Sequence, residues 1–105
     1  MAWIMLLVAG VFEVVWAVAM KQSAGFTRLV PSLVTLVGMV VSFVLLAAAM
    51  RTIPLGTAYT IWTGIGAVGA FVVGVVVLGE QLNAMRVVAA VLIVCGLVMM
   101  KLSAN

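Results

Sequence analysis

Glu13 and Trp16 stand one helical turn apart in an apolar stretch, MAWIMLLVAGVFEVVWAVAM, that holds no other charged side chain. Tyr59 and Trp62 repeat the three-residue spacing in another apolar stretch, GTAYTIWTGIG, with Thr63 one position further. Residues three or four apart share a helix face, so each pair would present its groups together. A carboxylate beside aromatic faces suits a desolvated organic cation: the acid pairs with the charge and the ring quadrupoles attract it. As a helix, residues 2–20 rise roughly 28 Å, which places Glu13 about 3 Å from the midpoint. An ionised acid at that depth of a bilayer costs on the order of 2.5–3.5 kcal/mol on translocon scales, which marks a functional carboxylate. The structural alternative is a protonated Glu bonded to a neighbouring helix, a task Gln would perform without ionising.

Further residues join this constellation with two readings each. Ser42 lies mid-way along an apolar run, where a serine commonly bonds its own i−4 carbonyl. The Tyr59 phenol needs a partner if buried, and Glu13 or a substrate could supply it. Leu6, Ala9, Gly10, Ala17 and Met20 share the Glu13 face, and the small ones leave space around the acid. Trp16 and Trp62 lie several residues inside their runs and read as pocket linings, whereas Trp3 suits an interfacial anchor. Gly64 and Gly66 either allow close helix packing or form a hinge that lets half a helix swing. Ala89, Ala90 and Gly96 offer a small-residue contact face.

The elements that must carry these groups are membrane helices. Of 105 residues, 69% are hydrophobic and 7% charged, too few to coat a soluble core. Four apolar runs, about 2–20, 29–50, 57–78 and 84–102, are each long enough to span about 30 Å of hydrocarbon. In lipid the backbone must satisfy its own hydrogen bonds, so the runs are helices, and the fold is an all-α membrane protein of four spans in one domain. Pro31 fits a first helical turn, and Gly79-Glu80-Gln81-Leu82-Asn83 makes the last connection. Residues 1–20 read as a retained span and not a leader: no basic region precedes them and Glu13 interrupts the core.

Composition also removes function classes. A net charge of +3 would suggest nucleic acid in a soluble protein, but the five cations fall at helix ends, where they reach headgroups. With no histidine and one cysteine, Cys95, there is no metal set, no cofactor motif and no internal disulfide. No nucleophile–base pair or phosphate loop supports an enzyme. A transporter remains, with a proton-translocating channel or rotor subunit as the alternative that also needs one membrane acid. The aromatic neighbours of Glu13 argue against protons alone. A structural assembly subunit would have no use for Glu13.

Orientation is weakly specified. With both termini cytoplasmic, Arg51 and Lys101 lie on that side and Lys21, Arg28 and Arg86 on the other. The positive-inside rule barely chooses, so the chain either has a poorly enforced single topology or inserts both ways. No internal repeat supplies the two facing gates of a transporter, and a second, inverted copy of the chain could.

Taken together, the mid-helix Glu13, GFTRLVPS and GTAYTIWTGIG resemble the small multidrug resistance transporters over essentially the whole chain. FEVVWA around Glu13, with Trp16 where the multidrug subtype has a small residue, is similar to the guanidinium exporter subtype. The resemblance implies an antiparallel, dual-topology homodimer in the bacterial inner membrane. It implies export of guanidinium and small substituted guanidinium ions in exchange for protons, with quaternary ammonium export as the alternative within the family. Its binding residues fall on Glu13, Trp16, Ser42, Tyr59 and Trp62.

The near balance of cationic residues predicts both orientations in cells. A C-terminal tag should be accessible from each side of the membrane, and one added Arg at Gln81 should bias it to one side. A tag found on one side only refutes dual insertion.

Overall fold

The computed structural model describes residues 1–104. Four helices follow one another: α1 (Ala2–Gln22), α2 (Leu29–Ala49), α3 (Leu55–Val76) and α4 (Ala84–Ser103). Each is long and apolar enough to cross a membrane. Asn105, the end of the expected polar tail, lies outside the described residues.

The α3 boundaries sit two residues before the ends that apolarity alone suggests. Pro54 precedes the helix with φ −58° and ψ 151°, an extended geometry from which Leu55 begins the first turn. At the other end Val77 and Leu78 are still apolar, but Gly79 takes φ +69° and reverses the chain. The Glu80 N–H then bonds the Gly74 carbonyl at 2.9 Å. At α4 the Asn83 side chain accepts the Arg86 N–H at 2.9 Å, an N-cap of the usual kind.

The helices form a slab 42 × 35 × 17 Å, too thin to enclose a site. α1 runs between α2 and α3, while α4 lies against α3. The core gathers Leu6 and Ala9 of α1, Leu46 and Ala49 of α2, Ile53, and Ala58, Ile61 and Trp62 of α3. In lipid, such contacts rest on van der Waals packing, and small residues permit the closest approach. Gly10 of α1 faces Ile65, Gly69 of α3 faces Val14, and Gly64 of α3 faces Leu97 of α4. The space expected around the acid at Gly10 is therefore filled by Ile65. Trp3 packs on the core with the Lys101 ammonium 4.4 Å above its ring, so it holds the end of α4.

Ser23 organises the α1–α2 connection. It is fully buried, donates its hydroxyl to the Met20 carbonyl at 2.6 Å and accepts the Phe26 N–H at 3.0 Å. Its carbonyl takes the N–H groups of Thr27 and Arg28 at 2.9 and 3.1 Å. These bonds hold Ala24, Gly25 and Phe26 at φ 51°, 76° and 66°, where only glycine is unstrained. Ser23→Ala should therefore lower unfolding stability in detergent by about 1–2 kcal/mol, the loss of a hydrogen-bonded cap. An unchanged unfolding midpoint would show that the turn is held by packing alone.

Candidate functional site

Glu13 projects from α1 toward α3, where the neighbour is Gly66. A Cβ built at Gly66 would fall on the Glu13 carboxyl group and lie 2.8 Å from its Cγ. Glu13 Oε1 is buried and has no hydrogen-bond partner among the described residues. Neither α2 nor α3 contributes a charged side chain along its length, and the other charge of α1, Lys21, stands in its last turn. Glu13 is thus the one charged group in the middle of the α1–α2–α3 layer. The position holds space for a carboxyl group without supplying a donor to it. That leaves the acid available to a proton or to a cation that brings its own donors.

Ser42 links all three packed helices. Its hydroxyl donates to the Ala9 carbonyl of α1 at 2.7 Å and accepts the Trp62 indole N–H at 2.9 Å. The local bond that a membrane serine commonly makes is found at Thr35 instead, whose hydroxyl donates to the Pro31 carbonyl at 2.8 Å. Ala9 precedes Glu13 by four residues, so the carbonyl that Ser42 holds also receives the helical N–H of Glu13. Ser42 thus positions the helix turn that carries the acid.

The aromatic residues form a continuous row. Trp16 meets Phe43 edge-on at 6.3 Å, Phe43 meets Trp62 at 5.8 Å, and Trp62 meets Tyr59 at 5.5 Å. Trp62 is buried, Trp16 is partly covered, and Phe43 and Tyr59 are about half exposed. Within one chain the Tyr59 ring lies tilted by 46° against Trp62, and its phenol makes no hydrogen bond to Glu13 among the described residues. It opens onto a groove of about 480 Å³ between α3 and α4, edged by Thr60, Thr63 and Gly96. Trp16 Nε1 is buried without a partner among the described residues, a second unanswered polar atom close to Glu13 in sequence. Gly38 lets α2 approach Trp16: a Cβ there would stand 3.1 Å from the Trp16 Cβ.

Sequence reasoning missed Phe43, which joins the two tryptophan halves of the row. Its neighbour Ser42 was a cue to that stretch of α2, but no spacing in the sequence pairs Phe43 with either ring. Gly64 and Gly66 both lie within an unbroken α3, Gly64 against Leu97 and Gly66 against the carboxylate. Ala89 and Ala90 line a groove with Phe71, over whose ring the Arg86 guanidinium sits at 5.8 Å. Cys95 is exposed on α4.

Four helices long and apolar enough to span a membrane, with one acid at mid-span, define a small multi-pass membrane protein. The Small Multidrug Resistance protein family matches residues 1–93, and the chain belongs to that family. It is 54% identical to the guanidinium exporters of Escherichia coli K12 and Salmonella typhimurium LT2, over the full length of both chains in each pair. The guanidinium exporter of Citrobacter freundii is 52% identical, again over all of both chains.

The Ser42–Trp62 bond should appear as a coupling in a double-mutant cycle. Ser42→Ala and Trp62→Phe, alone and together, should give a coupling of about 0.6–1.7 kcal/mol in unfolding free energy, the range of hydrogen bonds between membrane helices. Strict additivity would mean that the two side chains pack independently.

Proposed function

We propose that this chain exports guanidinium and small substituted guanidinium ions in exchange for protons, as an antiparallel, dual-topology homodimer of the bacterial inner membrane. The observation that carries the reading is the Glu13 carboxylate, half-buried at mid-span, with its buried Oε1 unpartnered among the described residues and no cationic side chain in the two helices packed against α1. A planar guanidinium ion brings paired N–H donors that match a carboxylate edge, together with the positive charge the pocket lacks. Trp16 and Trp62 cover its faces, and Ser42 and Tyr59 orient the acids. The names of the relatives support this substrate class.

A second copy of the chain accounts for the thinness of the layer. No residue of α4 is buried, and a Cβ at Gly96 would meet nothing within 4 Å. An inverted partner on this side brings a second Glu13 to the site, and the near balance of Lys and Arg permits both insertions. Protons and cation compete for the same two carboxylates, so loading one on one side releases the other. Gly64 and Gly66 give α3 the bend that changes which side the site faces.

Reconstituted protein should drive guanidinium uptake into vesicles against its gradient when the lumen is acidic, and should release luminal protons as it does so. Guanidinium should outcompete tetrapropylammonium. Glu13→Gln should lose the uphill uptake entirely while keeping its fold, because the amide can hold neither the proton nor the charge. Uphill uptake by Glu13→Gln would overturn the exchange scheme.

A further inference from the structure

The close approach at Gly66 differs in kind from those at Gly10 and Gly69; Gly74 near the end of α3 also faces a carboxyl group, that of Glu80 in the following connection, whereas Gly66 faces the acid at mid-span. At Gly10 and Gly69 the facing atoms belong to Ile65 and Val14, stiff β-branched side chains packed between helices. At Gly66 they are Oε1, the carboxyl carbon and Cγ of Glu13, the free end of a flexible chain. A methyl group at Gly69 would push on helix packing. A methyl group at Gly66 would push on the carboxylate itself, which can yield by rotating about its own χ angles.

We infer that Gly66 is a positioning residue for the Glu13 carboxylate: the missing side chain on α3 is the space in which the acid holds the geometry that takes the cation. This rests on the exchange reading above and assigns Gly66 a role separate from bending. Gly66 itself is buried, and no side chain other than Glu13 stands within the nearest contacts of that space. The other charged groups, Lys21, Arg28, Arg51, Glu80, Arg86 and Lys101, lie at helix ends or in connections, and α2 and α3 contribute none to the pocket. The phenol of Tyr59 is the one titratable group of α3, and its ring lies tilted against Trp62. Displacement of the carboxylate is therefore not offset by a neighbour that could follow it.

Gly66→Ala should weaken guanidinium binding by about tenfold or more, a factor that corresponds to roughly 1.4 kcal/mol. Gly69→Ala should leave that affinity within about twofold while lowering thermal stability, because its methyl meets Val14 and not the acid. Glu13→Asp draws the carboxyl group back by one methylene. In that background Gly66→Ala should weaken binding by less than about threefold, a large positive coupling in the double-mutant cycle. An unchanged affinity in Gly66→Ala overturns the assignment. So does an equal loss in the parent and Glu13→Asp backgrounds, which would make Gly66 a packing residue.

A substrate-free readout separates this from failure of the transport reading. With Glu80→Gln and isotope-labelled glutamate, the infrared carboxyl band of Glu13 reports its surroundings alone. Gly66→Ala should shift that band and Gly69→Ala should not; identical bands in all three proteins overturn the assignment even if the parent binds no guanidinium. Should Gly66→Ala fail to fold, recovery of a monodisperse protein when Glu13→Asp is combined with it supports the assignment, and failure of both overturns it.

Discussion

A carboxyl group placed at mid-membrane must have room, and in this chain it has room without a donor. Glu13 lies against a glycine, its buried oxygen makes no hydrogen bond among the described residues, and the flanking helices α2 and α3 carry no charge. A donor from the protein would satisfy the acid permanently and leave nothing for a cation to supply. The unsatisfied carboxylate has a cost in stability, and the surrounding layer is built to tolerate it.

That tolerance comes from the bonds around the acid and not from bonds to it. Ser42 ties α2 to the α1 backbone one turn before Glu13 and holds the Trp62 indole of α3 in the same act. The ring row from Trp16 to Tyr59 then runs across all three helices. Edge-to-face contacts of this kind add a modest energy each, but together they fix the spacing of the walls. The walls can be rigid while the carboxylate itself is left without a protein donor.

Glycine distribution along α3 serves the same end from the other side. Gly64, Gly66 and Gly69 face α4, the acid and α1 in turn, so one helix adapts to three different neighbours. α4 is the contrary case, with Gly96 facing open space and no buried position. A helix that buries nothing within its own chain has its packing surface available for another. The polar caps at Ser23 and Asn83 hold the connections in shape where they leave the apolar layer.

Much of this protein is legible in its residues taken in order. The apolar runs and the scarcity of charge impose four helices, because lipid leaves the backbone no other partner. Glu13 announces itself, since an acid at that depth is too costly to be incidental. The i, i+3 pairs Glu13–Trp16 and Tyr59–Trp62 follow from helical periodicity alone. What the order of residues does not contain is which faces meet across helices. Ser42 could have bonded its own helix, and only the α1–α2 packing brings it to Ala9; Phe43 joins the ring row for the same reason. Gly66 reads in sequence, together with Gly64, as a packing contact or a hinge; that it faces the Glu13 carboxyl follows only from the packing of α3 against α1, because a residue without a side chain has no sequence signature for what occupies its place. Helical period is a local property of the backbone, whereas the rotation of one helix about its axis against another is settled by every side chain in the contact at once.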